Sequence, residues 1–301
     1  MLRLRVTALL LFLVAACAPA QDLSSPTRFP APTAFPLTVT DFQDRSVLIA
    51  ARPQRIVSIG PSNTEFLFAL GAADRVIGVD DFSDEPAEAR TKDRVGGVKP
   101  NVEKIVALRP DLVVSVKISD GSLEKIAAQN VVVLVVDPVG AADVGRTATL
   151  VGKAIGVDGE RLARQIQDGV DAVKGRAATL RKKRVYHEID ATDPNKLYTV
   201  GPGSFIHDLI GIAGGVNVAA STTSPYPQLS PEEVIRGDPE IIVFASYGVT
   251  PEQIAARPGW SVITAVKAKR IVKVEGSLMS RPGPRLPQAA EAYYRIIADA
   301  Q

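Results

Sequence analysis

One pattern occurs twice in this chain, as Asn101-Val-Glu-Lys-Ile-Val-Ala-Leu-Arg-Pro-Asp-Leu-Val-Val114 and as Ser230-Pro-Glu-Glu-Val-Ile-Arg-Gly-Asp-Pro-Glu-Ile-Ile-Val243. Each copy has a helix-capping residue, a glutamate two places on, an aliphatic pair, a proline followed by an acid, and an apolar run. The second copy begins 129 residues after the first, which is too long for a solenoid repeat and suits one lobe of a two-lobed protein. The pattern therefore predicts two similar halves, with one matched glutamate on each, Glu103 and Glu232.

The composition is that of an ordinary globular protein. The 301 residues are 46% hydrophobic and 23% charged, which is enough for two modest domains. The net charge of +2 implies no polyanionic partner. The basic residues are scattered apart from Arg181-Lys-Lys-Arg184, which we interpret as a solvated helix end and not as a nucleic-acid site.

The N-terminus has the layout of a secretory signal. Two arginines precede the apolar run Val6–Ala16, which is too short to span a bilayer. The run ends in Val14-Ala-Ala-Cys17, which resembles the bacterial lipobox, in which the cysteine thiol receives a diacylglyceryl group. Cys17 is the only cysteine, so it can form neither an intrachain disulfide nor a zinc cluster. We predict a lipoprotein signal peptide over residues 1–17; an ordinary signal peptide that happens to contain a cysteine is the alternative.

The remaining chain divides into four segments. Residues 18–36 carry five prolines and no apolar periodicity, which indicates an extended tether between the lipid anchor and the folded body. Residues 37–140 and 183–301 are predicted to be an N-terminal and a C-terminal α/β lobe. Residues 141–182 are predicted to be a backbone helix with a break at Gly156, and its second part, from Asp158 to Lys182, would be about 37 Å long. A helix of that length would join the two lobes rigidly.

Short apolar runs alternate with helical patterns in both lobes. The runs are continuous, as expected for strands buried on both faces of a parallel sheet. Ser62-Asn-Thr-Glu65 is predicted to be a capping box that opens a helix, and Asn101 is predicted to cap the next helix, which ends before Pro110. The fold class is therefore α/β, with two parallel-sheet lobes joined by a long backbone helix. The predicted strands are Ile56–Ile59, Val76–Val79, Leu112–Ser115, Val131–Val136, Val185–Ile189, Ile241–Phe244 and Ile271–Val274.

Four segments of the chain carry a family resemblance. They are Pro53–Glu65, Asn101–Val114, Gly201–Ile206 and Tyr226–Ser230. In this order they resemble the helical-backbone (class III) substrate-binding proteins of ABC importers, the cobalamin (vitamin B12) and ferric-siderophore class. The resemblance implies an extracytoplasmic monomer that binds its ligand in the cleft between two rigid lobes. It also implies a partner, the permease of an ABC transporter with its ATPase subunit.

The resemblance assigns a role to the two matched glutamates. In the family, a glutamate on each lobe docks into arginine pockets of the permease, and Glu103 and Glu232 occupy the matching positions. From the residues alone, Ser230 is the N-cap, Pro231 is the first helical residue and Glu233 completes a capping box, which leaves Glu232 pointing outward. The preference of glutamate for the positive end of a helix is the alternative explanation.

The resemblance also places ligand contacts at the ends of the strands that face the opposite lobe. Aromatic and aliphatic side chains at these positions suit a flat, largely apolar macrocycle such as a corrin. Ser115-Val-Lys-Ile118, however, lacks the aromatic residue that cobalamin binders often carry. The predicted ligand-binding residues are Ser62, Asn63, Phe82, Lys117, Tyr226, Trp260, Met279 and Arg281.

Two arginines favour a second class of ligand. Arg281 and Arg285 offer planar sets of donors that would suit an anionic ferric chelate of siderophore or haem type, although Arg285 is interpreted as structural. We predict capture of cobalamin or a related corrinoid, with an iron chelate as the alternative.

The sequence does not predict an enzyme. Ser204, His207 and Asp208 lie on one short helix with a spacing that does not form a relay, and Ser204 is interpreted as an N-cap. No Gly-x-x-x-x-Gly-Lys-Ser/Thr motif occurs, so the energy for transport must come from a partner. His187 and Glu188 point to opposite faces of a strand, which argues against a zinc or manganese site. We therefore predict no catalytic residue, no resident metal and no cofactor.

Overall fold

The computed structural model describes residues 34–190, 193, 196–246 and 248–301. The predicted signal peptide with Cys17 and residues 18–33 of the predicted tether lie outside this range. The residues from 34 onward belong to one compact unit. Among the described residues, no helix combines the length and the apolar character needed to cross a membrane.

A small hairpin precedes the first lobe. It consists of β1 (Leu37–Thr40) and β2 (Ser46–Ile49), which pair antiparallel. Val39 and Ile49 are buried against the core of the first lobe. The sequence did not predict these strands, because each has only four residues and each buries a single side chain.

The first lobe contains a five-stranded parallel sheet. All residues of its two central strands are buried, as expected where helices cover both faces of a parallel sheet. The strands are β3 (Ile56–Ile59), β4 (Val76–Val79), β5 (Asp93–Arg94), β6 (Leu112–Ser115) and β7 (Val132–Val135), in the order β5-β4-β3-β6-β7. The helices are α1 (Pro61–Ala69), α2 (Val102–Ala107) and α3 (Ser122–Ala127).

Helix α1 does not begin with the predicted capping box. Its N-cap is Gly60, no side chain caps it, and Pro61 is the first helical residue. Ser62 and Glu65 are buried inside the protein, where Glu65 binds arginines of the second lobe. Helix α2 begins as predicted, because the side chain of Asn101 accepts the backbone N–H of the third helical residue at 3.0 Å.

Two helices connect the lobes. They are α4 (Asp143–Ile155) and α5 (Gly159–Ala177), and they fold back on each other at the predicted break, where Gly156 has a φ of 74°. A Cβ on Gly159 would lie 2.1 Å from the carbonyl oxygen of Ala148, so the close crossing requires glycine. Helix α5 is about 28 Å long, shorter than the predicted 37 Å, because it ends at Ala177 and the chain turns there.

The second lobe contains a mixed sheet. The parallel strands β8 (Arg184–Asp190), β12 (Ile241–Phe244) and β13 (Ile271–Lys273) are joined by the shorter β9 (Leu197–Thr199), β10 (Val216–Asn217) and β11 (Gln228–Leu229), in the order β11-β9-β8-β12-β13, with β10 beside β8. Strand β9 is antiparallel to β8, and β11 is antiparallel to β9. The helices are α6 (Phe205–Ile212), α7 (Pro231–Gly237), α8 (Pro251–Ala255), α9 (Thr264–Lys267), α10 (Gly276–Ser280) and α11 (Leu286–Ala298).

The two-lobed α/β class is confirmed, and all seven predicted strands are present to within one residue at each end. The prediction that both sheets are purely parallel is corrected for the second lobe. Strands β9 and β11 have three and two residues, which is too short for an apolar run to be visible in the sequence.

The two copies of the repeated pattern adopt the same local structure. In the first copy, the carboxylate of Asp111 accepts the backbone N–H of Arg55 at 3.0 Å, immediately before β3. In the second copy, the carboxylate of Glu240 accepts the backbone N–H of Arg184 at 3.2 Å, at the start of β8. The acid that follows the proline thus binds the start of the central strand in each lobe.

One buried core crosses from the first lobe to the second. Phe66 of α1 lies in the same cluster as Ala148 of α4, Val170 of α5, Leu209 of α6 and Tyr293 of α11. Since these helices belong to the first lobe, the connection and the second lobe, the lobes are packed together on the helical side.

Candidate functional site

A cavity of about 530 Å³ lies at the carboxyl ends of the strands of the first lobe. It begins where β3, β4 and β6 end, at Gly60, Asp80 and Val116. The chain leaves β3 for β4 on one side, while β6 lies on the other side, and ligands of parallel α/β sheets bind at such switch points. The apolar wall of the cavity is formed by Phe82, Val98 and Ile118.

Two lysines line the cavity, and each acts on a nearby carboxylate. The pKa of Asp120 lies below its ordinary value, chiefly through hydrogen bonds from Ser122 and also through the charge of Lys99. Burial raises the pKa of Asp137, against the opposing effect of the backbone N–H and the charge of Lys117. The lining itself carries two lysines, Lys99 and Lys117, and two aspartates, Asp80 and Asp120.

Gly60 and Asp80 form the floor of the cavity. Gly60 has a φ of 104°, and a Cβ there would lie 2.6 Å from Cγ1 of Val116, so the position requires glycine. The buried carboxylate of Asp80 accepts the N–H of Gly60 at 2.8 Å, the hydroxyl of Ser83 at 2.6 Å and the backbone N–H of Phe82 at 2.9 Å. It thus joins the end of β3 to the loop that carries Phe82.

An ion cluster joins the two lobes beside this cavity. Glu65 of α1 is only 4% exposed, and its carboxylate accepts Nε and Nη2 of Arg285 at 2.8 and 2.7 Å and Nη1 of Arg281 at 3.3 Å. Nη2 of Arg281 also donates to the carbonyl of Phe82 at 3.1 Å and pairs with Asp84 at 2.8 Å. Burial alone would raise the pKa of Asp84, but Arg281 outweighs it and the pKa lies below its ordinary value.

The predicted ligand contacts of the first lobe fall into two groups. Phe82, 55% exposed, and Lys117 line the cavity together. Ser62 and Asn63 lie inside α1 and do not line it, and the side-chain amide of Asn63 donates to the carbonyl of Ile59 at 3.1 Å. Residues that follow a strand directly can turn inward as the helix begins, which the sequence pattern does not show.

The predicted contacts of the second lobe are also divided. Tyr226 is 59% exposed. Trp260 is only 1% exposed and packs edge-on against Tyr186, with the guanidinium of Arg257 4.7 Å from its ring centre. Met279 is buried in the core shared by the lobes. The structure therefore moves Trp260 and Met279 from the predicted ligand wall to the interior.

The two matched glutamates have the same position in both lobes. Glu103 is the second residue of α2 and Glu232 is the second residue of α7, and both are exposed. Ser230 and Glu233 form the predicted capping box, with hydrogen bonds of 3.2 and 2.7 Å. The bonds of the box use Glu233 and leave the carboxylate of Glu232 at the surface.

A model of the family described as periplasmic binding protein matches residues 56–277. The chain belongs to this family. The periplasmic binding protein described here is 32% identical to the ABC transporter substrate-binding lipoprotein YvrC of Bacillus subtilis, over 85% of this chain and 84% of that protein. It is 30% identical to a cobalamin-binding protein of Halobacterium salinarum, over 84% of this chain and 71% of that protein.

Solved structures of periplasmic binding proteins share the fold. The haem-binding protein BhuT in complex with two haems superposes with a TM-score of 0.76 at 24% identity, over 82% of this chain and 98% of that one. The vitamin B12-binding protein BtuF of Vibrio cholerae superposes with a TM-score of 0.70 at 23% identity, over 83% and 98%. At these identities the likeness shows the two-lobed fold alone.

Three residues of this periplasmic binding protein that resemble a hydrolase triad are bonded separately. Ser204 caps α6 by accepting the backbone N–H of His207 at 3.3 Å. The ring of His207 contacts the side-chain amide of Asn217 at 3.0 Å, and Asp208 accepts the backbone N–H of Ala141 at 2.9 Å. The arrangement has no serine–histidine–aspartate relay.

His187 is a buried core residue. Its Nδ1 contacts the hydroxyl of Tyr293, and burial lowers its pKa to about 4. Its neighbour Glu188 forms a buried two-point ion pair with Arg257, at 2.7 and 2.9 Å. Within the described part of the chain, no group of three histidine, cysteine or acidic side chains could hold a metal ion.

One exposed aromatic residue of this periplasmic binding protein was missed in the sequence. Tyr198 is 43% exposed on β9 and lies opposite Gln228 of β11, two residues after Tyr226. Strand β9 buries its first and third residues and exposes Tyr198 between them. That alternation was the available signal, but three residues are too few to establish a period.

Proposed function

We propose that this protein is an extracytoplasmic, lipid-anchored substrate-binding protein that captures cobalamin or a related corrinoid between its lobes and delivers it to an ABC transporter permease. Cys17 is the proposed site of lipidation. Glu103 and Glu232 are the proposed docking residues for the permease. A binding protein of this kind needs no catalytic residue, and we propose no enzymatic activity.

The observation that carries the corrinoid proposal is that both arginines beside the cavity are already paired with carboxylates. Arg281 and Arg285 bind Glu65, and Arg281 also binds Asp84. An anionic chelate needs cationic donors that are free of carboxylates. The remaining wall, with the apolar side chains of Phe82, Val98 and Ile118 and with as many aspartates as lysines, better suits a ligand that is flat, largely apolar and without strong negative charge. The cobalamin-binding relative at 30% identity supports the same choice.

A ferric chelate is the second candidate. Lys99 and Lys117 are exposed at the cavity, and their ammonium groups offer cationic donors to a strongly anionic ligand. Zinc or manganese binding and serine hydrolysis have weaker support, since His187 is buried and Ser204 caps a helix.

The test is direct binding by a protein that begins at Ala18. Isothermal titration with cyanocobalamin, haemin, a ferric hydroxamate and zinc compares the four ligand classes. We expect one cyanocobalamin per chain and much weaker binding of the others. Intrinsic tryptophan fluorescence is a poor readout, because Trp260 is in the interior.

Tight haemin or ferric hydroxamate binding without cyanocobalamin binding would replace the first candidate by the second. Zinc binding alone would overturn both. Replacing Lys99 and Lys117 by glutamine distinguishes a corrinoid ligand from an anionic chelate. Affinity for an anionic chelate would then fall roughly tenfold or more, whereas affinity for cyanocobalamin should change little.

A further inference from the structure

We propose that Arg281 is a positioning residue that reaches across from the second lobe and holds Phe82 in place as the wall of the cavity. This inference rests on the proposed function only for its effect on ligand affinity. The family resemblance predicts a ligand contact at Arg281, whereas its hydrogen bonds point to a different role.

Nη2 of Arg281 binds the loop Asp80–Asp84, which we call the Phe82 loop. Nη2 reaches both the carbonyl oxygen of Phe82 and the carboxylate of Asp84, at 3.1 and 2.8 Å. The side chain of Arg281 is 14% exposed, so little of its guanidinium remains for another partner. Nη2 of Arg281 thus binds the loop that carries the lining residue Phe82, and Arg281 is not part of the lining itself.

The orientation of Arg281 is set by a second arginine. Arg285 binds both carboxylate oxygens of Glu65 through Nε and Nη2. Glu65 is thereby fixed on α1 and accepts Nη1 of Arg281 at 3.3 Å. Since a guanidinium is planar, fixing Nη1 on Glu65 directs Nη2 toward the Phe82 loop.

The first lobe holds the base of the Phe82 loop. Arg94 of β5 donates Nη1 to the carbonyls of Asp80 and Ser83, at 2.7 and 2.8 Å. The ring of Phe82 lies against Gly97, where a Cβ would be 3.3 Å from the ring. From the second lobe, only Arg281 is shown to bind the loop among the described residues. The position of Phe82 therefore depends on how the second lobe is placed.

A double-mutant cycle with cyanocobalamin tests this role. The four proteins are the wild type, Phe82→Ala, Arg281→Gln and the double variant, each beginning at Ala18. We expect each single change to weaken binding about tenfold, and the double change to be no weaker than Phe82→Ala, because Arg281 acts through the ring. Additive losses of about a hundredfold would show that Arg281 reaches the ligand itself. Either that result or unchanged affinity in Arg281→Gln would overturn the proposal.

Hydrogen exchange measured without ligand tests the positioning role of Arg281 independently of the proposed function. The backbone N–H groups of Phe82 and Ser83 are hydrogen-bonded to Asp80, so their hydrogen exchange reports on the loop. In Arg281→Gln this exchange should be about tenfold faster than in the wild type. Unchanged exchange would overturn the positioning role, even in a protein that binds no corrinoid. If the wild type binds no cyanocobalamin but the exchange responds, the proposed function fails and the positioning role stands.

Two further variants guard against misfolding and general effects. Asp84→Asn removes the charge from the loop side, leaves the bonds of Arg281 to Glu65 in place, and should also speed the exchange. Arg164→Gln removes an exposed arginine of α5, which forms an exposed ion pair with Glu160 at 3.8 Å. It should leave both exchange and affinity unchanged, and a similar response in this control would overturn the proposal.

Discussion

His187 shows how burial changes the chemistry of a single residue. The ring is 2% exposed and bonds to the hydroxyl of Tyr293. Because burial lowers its pKa from 6.5 to about 4, the folded state holds the neutral ring at a pH where the unfolded chain takes up a proton. Metal binding and acid–base catalysis by a histidine both need an accessible ring nitrogen. This buried position does not offer one.

The shifted pKa predicts acid sensitivity. The unfolded state binds the proton below pH 6.5 and the folded state only below about pH 4, so the stability from neutral His187 is full above pH 6.5 and is lost as the pH falls toward 4. Between pH 7 and pH 5 the loss should be about 2 kcal/mol of unfolding free energy. Urea denaturation of the wild type and of His187→Gln measures it as the difference between their pH dependences. Parallel pH dependences would contradict the prediction.

The repeated pattern forms the same connection from helix to strand in both lobes. After the helix of each copy, the residue before the proline takes a left-handed backbone, with a φ of 47° at Arg109 and 36° at Asp238. The carbonyl of that residue accepts Nε of an arginine at the start of the central strand, at 3.1 Å from Arg55 and 2.8 Å from Arg184. The proline–acid step is thus a connection from helix to strand and has been kept in both lobes.

The two copies differ in how much unfolding free energy is lost when the acidic residue after the proline is replaced. Glu240 is buried beside Lys183, whose pKa is lowered chiefly by burial, whereas Asp111 is exposed. Removing Glu240 leaves a buried ammonium without its carboxylate, so Glu240→Ala should cost roughly 3–5 kcal/mol of unfolding free energy. Asp111→Ala should cost roughly 1–3 kcal/mol.

Urea denaturation at pH 7 measures both losses. Glu160→Ala on the surface of α5 is the control, because Glu160 forms an exposed ion pair at 3.8 Å, and such pairs contribute little. Equal losses for Glu240→Ala and Asp111→Ala would show that burial of Lys183 does not matter.

Elements with continuous apolar runs were predictable from the sequence. The strands β3, β6 and β12 are buried at every position, and that pattern appears in the residues themselves. Glu65 was not predictable: its spacing from Ser62 is the same whether it caps a helix or binds Arg285, which lies 220 residues later. The burial of Trp260 was not predictable for a similar reason, because contacts distant in sequence decide whether an aromatic side chain of a loop faces the solvent or the interior.

The whole molecule presents two matched carboxylates on one chain. Glu103 and Glu232 each follow an N-cap and one helical residue, on α2 of the first lobe and α7 of the second. Neither lines the cavity of the first lobe. Under the proposed function, docking and ligand capture should therefore be separable by mutation.

The double variant Glu103→Ala and Glu232→Ala tests that separation. Affinity for cyanocobalamin should stay within about twofold of the wild type, since surface substitutions away from a site change little. Uptake of labelled cobalamin by cells that carry the variant should fall strongly. The control is Glu124→Ala with Glu252→Ala, which removes two other glutamates near helix starts. A matching loss of affinity in the docking variant would assign the glutamates a structural or ligand-facing role.

The shared core on the helical side has a consequence for the timing of transport. Wide separation of the lobes would pull Phe66 of α1 away from the cluster that contains Tyr293. The apolar surface exposed in this way would cost about 25 cal/mol of free energy per Å². Under the proposed function, lobes that are already packed together add no penalty for reaching that arrangement, so capture should proceed in one kinetic step whose rate is linear in ligand concentration. A capture rate that levels off at high ligand concentration would instead reveal a slow rearrangement of the lobes and would contradict this expectation.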